Sequence, residues 1–217
     1  MNLSTTLREV TRPMSRACED TPFHQAIRDG VISRSLYSRL LWELRALHVA
    51  LEASLEKHPE LADLFDMVRH GRLAFLDQDL AVLCPRRPFS TVPITRVMTR
   101  RFAKWSRETP HRLLGALYVF EEARSKSLRQ VHALGRALGV PCTLGQGLDY
   151  HLQGRERAQV DWKHFRRELD RAQLDSQSSR YVVEGAQETL TGLCQLYQGL
   201  GGGWQWSSRR LHEDEAS

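Results

Sequence analysis

In the segment Leu7-Arg8-Glu9-Val10-Thr11-Arg12-Pro13-Met14-Ser15-Arg16-Ala17-Cys18-Glu19-Asp20, apolar side chains fall at helical intervals. Leu7, Val10, Met14 and Cys18, continued upstream by Leu3, form one stripe, so the chain opens on an amphipathic helix. Pro13 tests that reading, because inside a helix it removes the hydrogen bond to residue 9 and costs about 3 kcal/mol or a kink. The alternative is that Pro13 starts a fresh helical segment.

Downstream the same period persists. Thr21 before Pro22 reads as an N-cap followed by a first-turn proline, and Gly30 as the stop of a short helix. Ser33 opens the longest clear element, with Tyr37, Leu40, Leu41, Leu44, His48, Leu51 and Leu55 on one face and Pro59 closing it. Helices are predicted over 60–70, 73–83, 94–106, 110–138, 162–173 and 180–200, with a proline-bearing loop over 84–93 and a turn at Gly145-Gln146-Gly147. Strand-like alternation, internal repeats and low-complexity linkers are absent from the sequence. The expectation is an all-α, single-domain multi-helix bundle over residues 1–200, followed by a flexible C-terminal tail, 201–217, in which Trp204 and Trp206 are the residues able to dock.

At 217 residues, 41% hydrophobic and 26% charged, the chain is large enough for a substantial core. The lack of a long apolar run argues against membrane insertion, and the N-terminus lacks a basic-then-apolar leader, so a soluble cytoplasmic protein is expected. Cys18, Cys84, Cys142 and Cys194 show no C-x-x-C spacing, which disfavours a structural zinc or a disulfide framework. The formal net charge of +5 invites an anionic partner. Its cations are dispersed, however, and the densest group, Arg86, Arg87, Arg96, Arg100, Arg101 and Lys104, carries no nucleic-acid motif. An acidic small molecule suits this charge better than nucleic acid.

The opening segment resembles the first helix of the haem oxygenases, in which a histidine precedes the glutamate matching Glu19 by four residues. The resemblance continues over roughly residues 5–200. Thr21-Pro22-Phe23 and His48-Val49-Ala50-Leu51-Glu52 are similar to the second and third helices, and Leu76-Asp77-Gln78-Asp79-Leu80-Ala81 to an L-x-x-D-L segment. Leu114 to Glu121, reading LGALYVFE, resembles the start of the distal helix of bacterial members, which continues E-G-S-T-L-G-G. It implies a haem oxygenase-like bundle in which haem lies between a proximal helix carrying the iron-ligating histidine and a distal helix whose glycines admit the porphyrin. Iron-bound oxygen then opens the ring to biliverdin, carbon monoxide and iron.

Both walls depart from that pattern. Ser15 stands in the proximal histidine position, with the orienting carboxylate kept as Glu19, and a neutral hydroxyl is a poor iron ligand. On the distal helix, led by Tyr118, the glycine-bearing run is replaced by Glu122-Ala123-Arg124-Ser125-Lys126-Ser127, so no glycine remains between Gly115 and Gly135. Glu122 and Lys126 are spaced to pair along the helix. Four cations remain where the resemblance implies contacts to haem propionates, Arg8 and Arg12 on the first helix and Lys163 and Arg167 on a late one. Substitute ligands are sought in His48, which interrupts an apolar stripe, and in His24 on the second helix; His132 reaches only a shifted haem.

Two functional readings follow. In the first, this is a divergent, pseudoenzyme-like relative that binds haem, another tetrapyrrole or a protein partner. In the second, it is an active haem oxygenase with a substitute axial ligand. A carboxylate-bridged di-iron site would need a pair of E-x-x-H motifs, and the domain contains no such pair.

Overall fold

A computed structural model describes residues 2–62, 71–84, 90–127 and 130–202. Among them every regular element is helical, as the sequence period requires. In order these are α1 (Leu3–Glu19), α2 (Pro22–Arg28), α3 (Arg34–Leu55), α4 (Pro59–Ala62), α5 (Leu73–Leu83), α6 (Pro93–Glu108), α7 (His111–Ser127), α8 (Val131–Leu138), α9 (Asp149–Leu152), α10 (Ala158–Arg171) and α11 (Ser176–Gly202). α7 and α11 form the central pair; α1 lies along α11, while α3 packs on α5 and α6.

Local chemistry sets the element ends. The Thr21 hydroxyl accepts from the His24 amide and the Ser33 hydroxyl from that of Leu36, each satisfying a donor that a helix start leaves open. Gly30 and Gly139 close their helices at φ +68 and +66, in the left-handed region. Pro13 lies inside one continuous α1. It sits on the exposed side, so its ring meets solvent rather than a neighbouring helix. At its N-terminus α1 is tied to α10: the Ser4 amide donates to Asp170 Oδ1 at 2.8 Å and its hydroxyl to Oδ2 at 2.7 Å.

Several boundaries differ from expectation. The described part of the run 110–138 forms two helices, α7 and α8, with a turn at Gln130, and 128–129 lie outside the described residues. Of the helix expected over 60–70, α4 covers the beginning, and 63–70 lie outside the described residues. α11 continues through Gly202, past the expected start of the tail; Trp204 and Trp206 lie outside the described residues. α9 was not anticipated, being only one turn long. It forms because buried Asp79 on α5 accepts the amides of Asp149 (2.6 Å) and Tyr150 (2.9 Å), capping α9 from a distant part of the chain.

The central pair depends on two glycines. A Cβ on Gly115 would collide with the Val182 carbonyl, and one on Gly185 with the Arg112 carbonyl, so α7 and α11 meet backbone to backbone. Gly115→Ala is expected to lower the unfolding free energy by about 3 kcal/mol, since neither helix backbone can yield without shifting the core. Urea denaturation followed by circular dichroism measures this. An unchanged midpoint would show that the two helices do not meet this closely.

Candidate functional site

α1 and α7 face one another across a narrow cleft floored by α11. Ser15, on α1, is half-buried and turned toward α7. The Lys126 ammonium donates to Ser15 Oγ at 2.8 Å, and lies 3.4 Å from both Glu19 Oε1 and Glu122 Oε1. Ser15 Oγ is itself 3.5 Å from Glu19 Oε1. Lysine therefore bridges the two walls. Its side chain is 45% exposed and that of Glu19 49%, so each ion pair contributes only about 0–1 kcal/mol. The bridge is readily broken.

Two small chambers lie behind it. The first, about 100 Å³, is lined by Ser15, Cys18, Glu19, Val119 and Glu122 among others. The second, about 80 Å³, reaches Tyr37, Leu44, Phe120, Arg124 and Tyr150. His24, Ala123, Gln130, Leu193 and Tyr197 belong to both linings, so the chambers adjoin one another. Phe120 and Arg124 are buried and occupy the deeper side, whereas Met14 is exposed and lines neither chamber.

Beside the second chamber runs a buried polar network. The Arg124 guanidinium donates from Nε and Nη2 to Glu121 Oε2, at 3.2 and 2.9 Å. Arg72 Nη2 stands 3.6 Å from the other Glu121 oxygen, and the Arg72 amide donates to Glu52 Oε1 at 2.9 Å. Glu52 is also 3.2 Å from His48 Nδ1, while His48 Nε2 lies 3.2 Å from the Tyr150 hydroxyl. Burial holds that phenol well above its usual pKa, so it remains an O–H donor, and it lowers the Arg72 guanidinium against the pull of Glu121. With Nδ1–H given to Glu52 and the Nε2 lone pair taken by Tyr150, His48 offers no lone pair to a metal.

His24 differs. The Thr21 hydroxyl gives its proton to the Cys18 carbonyl at 2.8 Å, so toward His24 Nδ1, at 3.2 Å, it acts as acceptor. With the hydroxyl proton on the Cys18 carbonyl, this contact favours the tautomer protonated at Nδ1. Burial pushes the imidazole below its usual pKa despite Glu19, favouring the neutral ring. The ring stands edge-on to Tyr197 at 4.2 Å.

The remaining site residues lie farther out. Arg8 and Arg12 on α1 and Lys163 and Arg167 on α10 are exposed on two adjoining helices, and none lines a chamber. Tyr118 is fully buried against Trp162 of α10, with ring centroids 5.0 Å apart. His132 is exposed. The four cysteines are free thiols, and burial raises that of Cys18 far above its usual range, which makes it a poor nucleophile. Among the described residues, no three His, Cys, Asp or Glu converge as a metal site, and no helix is long and apolar enough to cross a membrane.

Sequence reasoning did not find Arg72 or Tyr150. Arg72 sits just before α5 with no motif, and Tyr150 belongs to the one-turn helix whose cap comes from Asp79. The Thr21 to His24 contact had a visible signal, since an N-cap hydroxyl reaches the third helical residue.

The family model described as heme oxygenase matches residues 1–198. The chain is 24% identical over 209 residues to heme oxygenase 1 of Pongo abelii, covering 92% of this chain and 72% of that protein. The heme oxygenase of Leptospira interrogans superposes with a TM-score of 0.83 at 19% identity, covering 92% of this chain and all of that one. Heme oxygenase-1 of Synechocystis sp. PCC6803, solved in complex with heme, gives 0.85 at 16% identity with full coverage of both chains.

Proposed function

Because the chain belongs to the haem oxygenase family, we propose that it is a divergent member that takes haem or another tetrapyrrole into the cleft between α1 and α7 without holding iron at residue 15. The contact from Lys126 Nζ to Ser15 Oγ, at 2.8 Å, carries this reading. A serine hydroxyl is a weak ligand for iron, and an ammonium hydrogen-bonded to it has no lone pair to offer and repels a metal cation. The standard ring-opening reaction needs an axial ligand at this place, so turnover by that route is lost.

The cleft keeps what a ligand requires. Its chambers, about 100 and 80 Å³, are each smaller than the roughly 300–1,000 Å³ of a drug-sized pocket, so a macrocycle enters only when the chambers merge. Lys126, half-exposed and weakly paired, lines the first chamber and has to be displaced for a ligand to enter it. Once displaced, its ammonium is placed to meet a ligand carboxylate at the mouth. Arg8, Arg12, Lys163 and Arg167 supply further positive charge along α1 and α10.

Titrating the apo-protein with haemin and with metal-free protoporphyrin IX, then adding reductant under air, tests the proposal. Saturable binding of both porphyrins without a biliverdin band is expected. Biliverdin accumulation on the family's ordinary timescale would overturn the loss of turnover. Failure of either porphyrin to saturate would overturn the ligand class.

A further inference from the structure

We infer that Cys18 and Cys194 form a peroxide-sensitive pair, which closes to a disulfide and fixes α1 to α11 where the wall of the cleft meets its floor. The inference goes beyond the ligand reading and holds whatever the cleft admits.

The four cysteines are scattered in the chain, and the fold brings two of them into one seam. Cys18 ends the buried stripe of α1 after Leu7 and Thr11. Cys194 is buried on α11, the helix along which α1 lies. The Cys18 thiol donates to the Leu190 carbonyl at 3.8 Å and is within hydrogen-bond reach of the Cys194 thiol. Leu190 and Cys194 are four positions apart, so both partners belong to one turn of α11. Both thiols are free. Bridging them requires the sulfurs to close from contact to bond length. Cys18 stands in the last turn of α1, beside its end at Glu19, where a small shift of backbone suffices.

Buried cysteines also serve as small apolar packing residues. Access to the cleft sets this pair apart. Cys18 lines the first chamber, whereas Cys194 lines neither. The half-exposed Glu19 and Lys126 line the same chamber, so it communicates with solvent. Its volume of about 100 Å³ admits peroxide, a molecule two oxygen atoms long, since a water needs only about 10–15 Å³.

Peroxide is the oxidant. The Cys18 thiolate attacks one peroxide oxygen, the O–O bond breaks and hydroxide leaves, giving a sulfenic acid on Cys18. Cys194 then loses its proton and attacks the Cys18 sulfur; the S–S bond forms as the S–O bond breaks, and the second oxygen leaves as water. Two thiols give up two electrons, and one peroxide becomes two waters. Burial pushes the Cys18 thiol far above its usual pKa, so thiolate is scarce and the first step is slow at neutral pH. The second step is intramolecular and traps the sulfenic acid before it oxidises further. Ser15 and Glu19 lie within one turn of Cys18, so the bond holds against α11 the residues that meet Lys126.

The test exposes the reduced full chain to hydrogen peroxide and reads intact mass, non-reducing peptide maps, thermal unfolding and amide hydrogen exchange over residues 14–20. A loss of two hydrogens and a single Cys18–Cys194 cross-linked peptide are expected. Exchange in that stretch is expected to slow about 10-fold or more and Tm to rise by roughly 5–10 °C, both reversed by dithiothreitol. In Cys194→Ala the sulfenic acid has no partner, so Cys18 is expected to gain oxygen without cross-linking and Tm not to rise. Cys18→Ser, which keeps a donor for the Leu190 carbonyl, is expected to abolish the cross-link, and serves as the second variant should alanine at 194 disturb the fold. A cross-link through Cys84 or Cys142 instead, a Cys18 that stays reduced while those two oxidise, or a Cys18–Cys194 bond that leaves exchange unchanged would each overturn the inference.

Discussion

Glu121→Ala is expected to lower the free energy of unfolding by about 3–5 kcal/mol, one of the largest single-residue effects in the molecule. Its carboxylate is 2% exposed and stands between two buried guanidiniums, accepting two hydrogen bonds from Arg124 and facing Arg72 at 3.6 Å. The pairing itself contributes little net stability, because desolvating three charges offsets most of their attraction. Removing the carboxylate alone is costly because two cations stay buried without the anion between them. Glu121→Gln retains an acceptor and the volume, so its loss should be smaller. Urea denaturation monitored by circular dichroism gives both values, and an alanine variant within about 1 kcal/mol of wild type would mean that the network opens to water.

Ser15→His combined with Lys126→Ala is expected to create an iron bond at residue 15 and to start biliverdin formation where the wild type gives none. The new imidazole would have Glu19 one turn on to orient its proton, since Ser15 Oγ already lies 3.5 Å from that carboxylate. Truncating Lys126 removes the ammonium that occupies the space beside residue 15. An axial bond contributing about 2–3 kcal/mol tightens haemin binding on the order of a hundredfold. Ser15→His alone should achieve less, because the lysine then confronts the introduced ring. Spectra unchanged by both substitutions would show that residue 15 does not face the macrocycle.

The fold was legible in the sequence wherever local chemistry determined it. Helical spacing in residues 3–18, the Thr21 and Ser33 caps and the Gly30 stop each act within a turn or two of chain, and each is where it was expected. Pro13 admitted two readings, and burial resolves them: on an exposed side a proline can remain within a helix. α9 was invisible because its cap is Asp79, about seventy residues upstream.

The site was legible by halves. Ser15, Glu19, Glu122, Arg124 and Lys126 were identified as residues of two facing walls, but how they divide between mouth and interior was not. Arg124 turns inward and is buried, while Lys126, two positions on, turns to the mouth. A difference of about 200° around a helix axis separates them, and only the neighbours, Ser15 and Glu19 on α1 and Arg72 ahead of α5, settle which direction is inward. His48 shows the limit from the other side. A lone histidine in an apolar stripe reads alike as ligand or as satisfied core residue, and the choice rests on Glu52 and on Tyr150 of the unanticipated α9.

The Thr21 hydroxyl joins the last turn of the first helix to the ring on the second, through Cys18 on one side and His24 on the other. This corner behaves as a swivel mount. Any guest that tilts the first helix to gain entry also shifts the imidazole on the second, because one hydroxyl group makes both contacts.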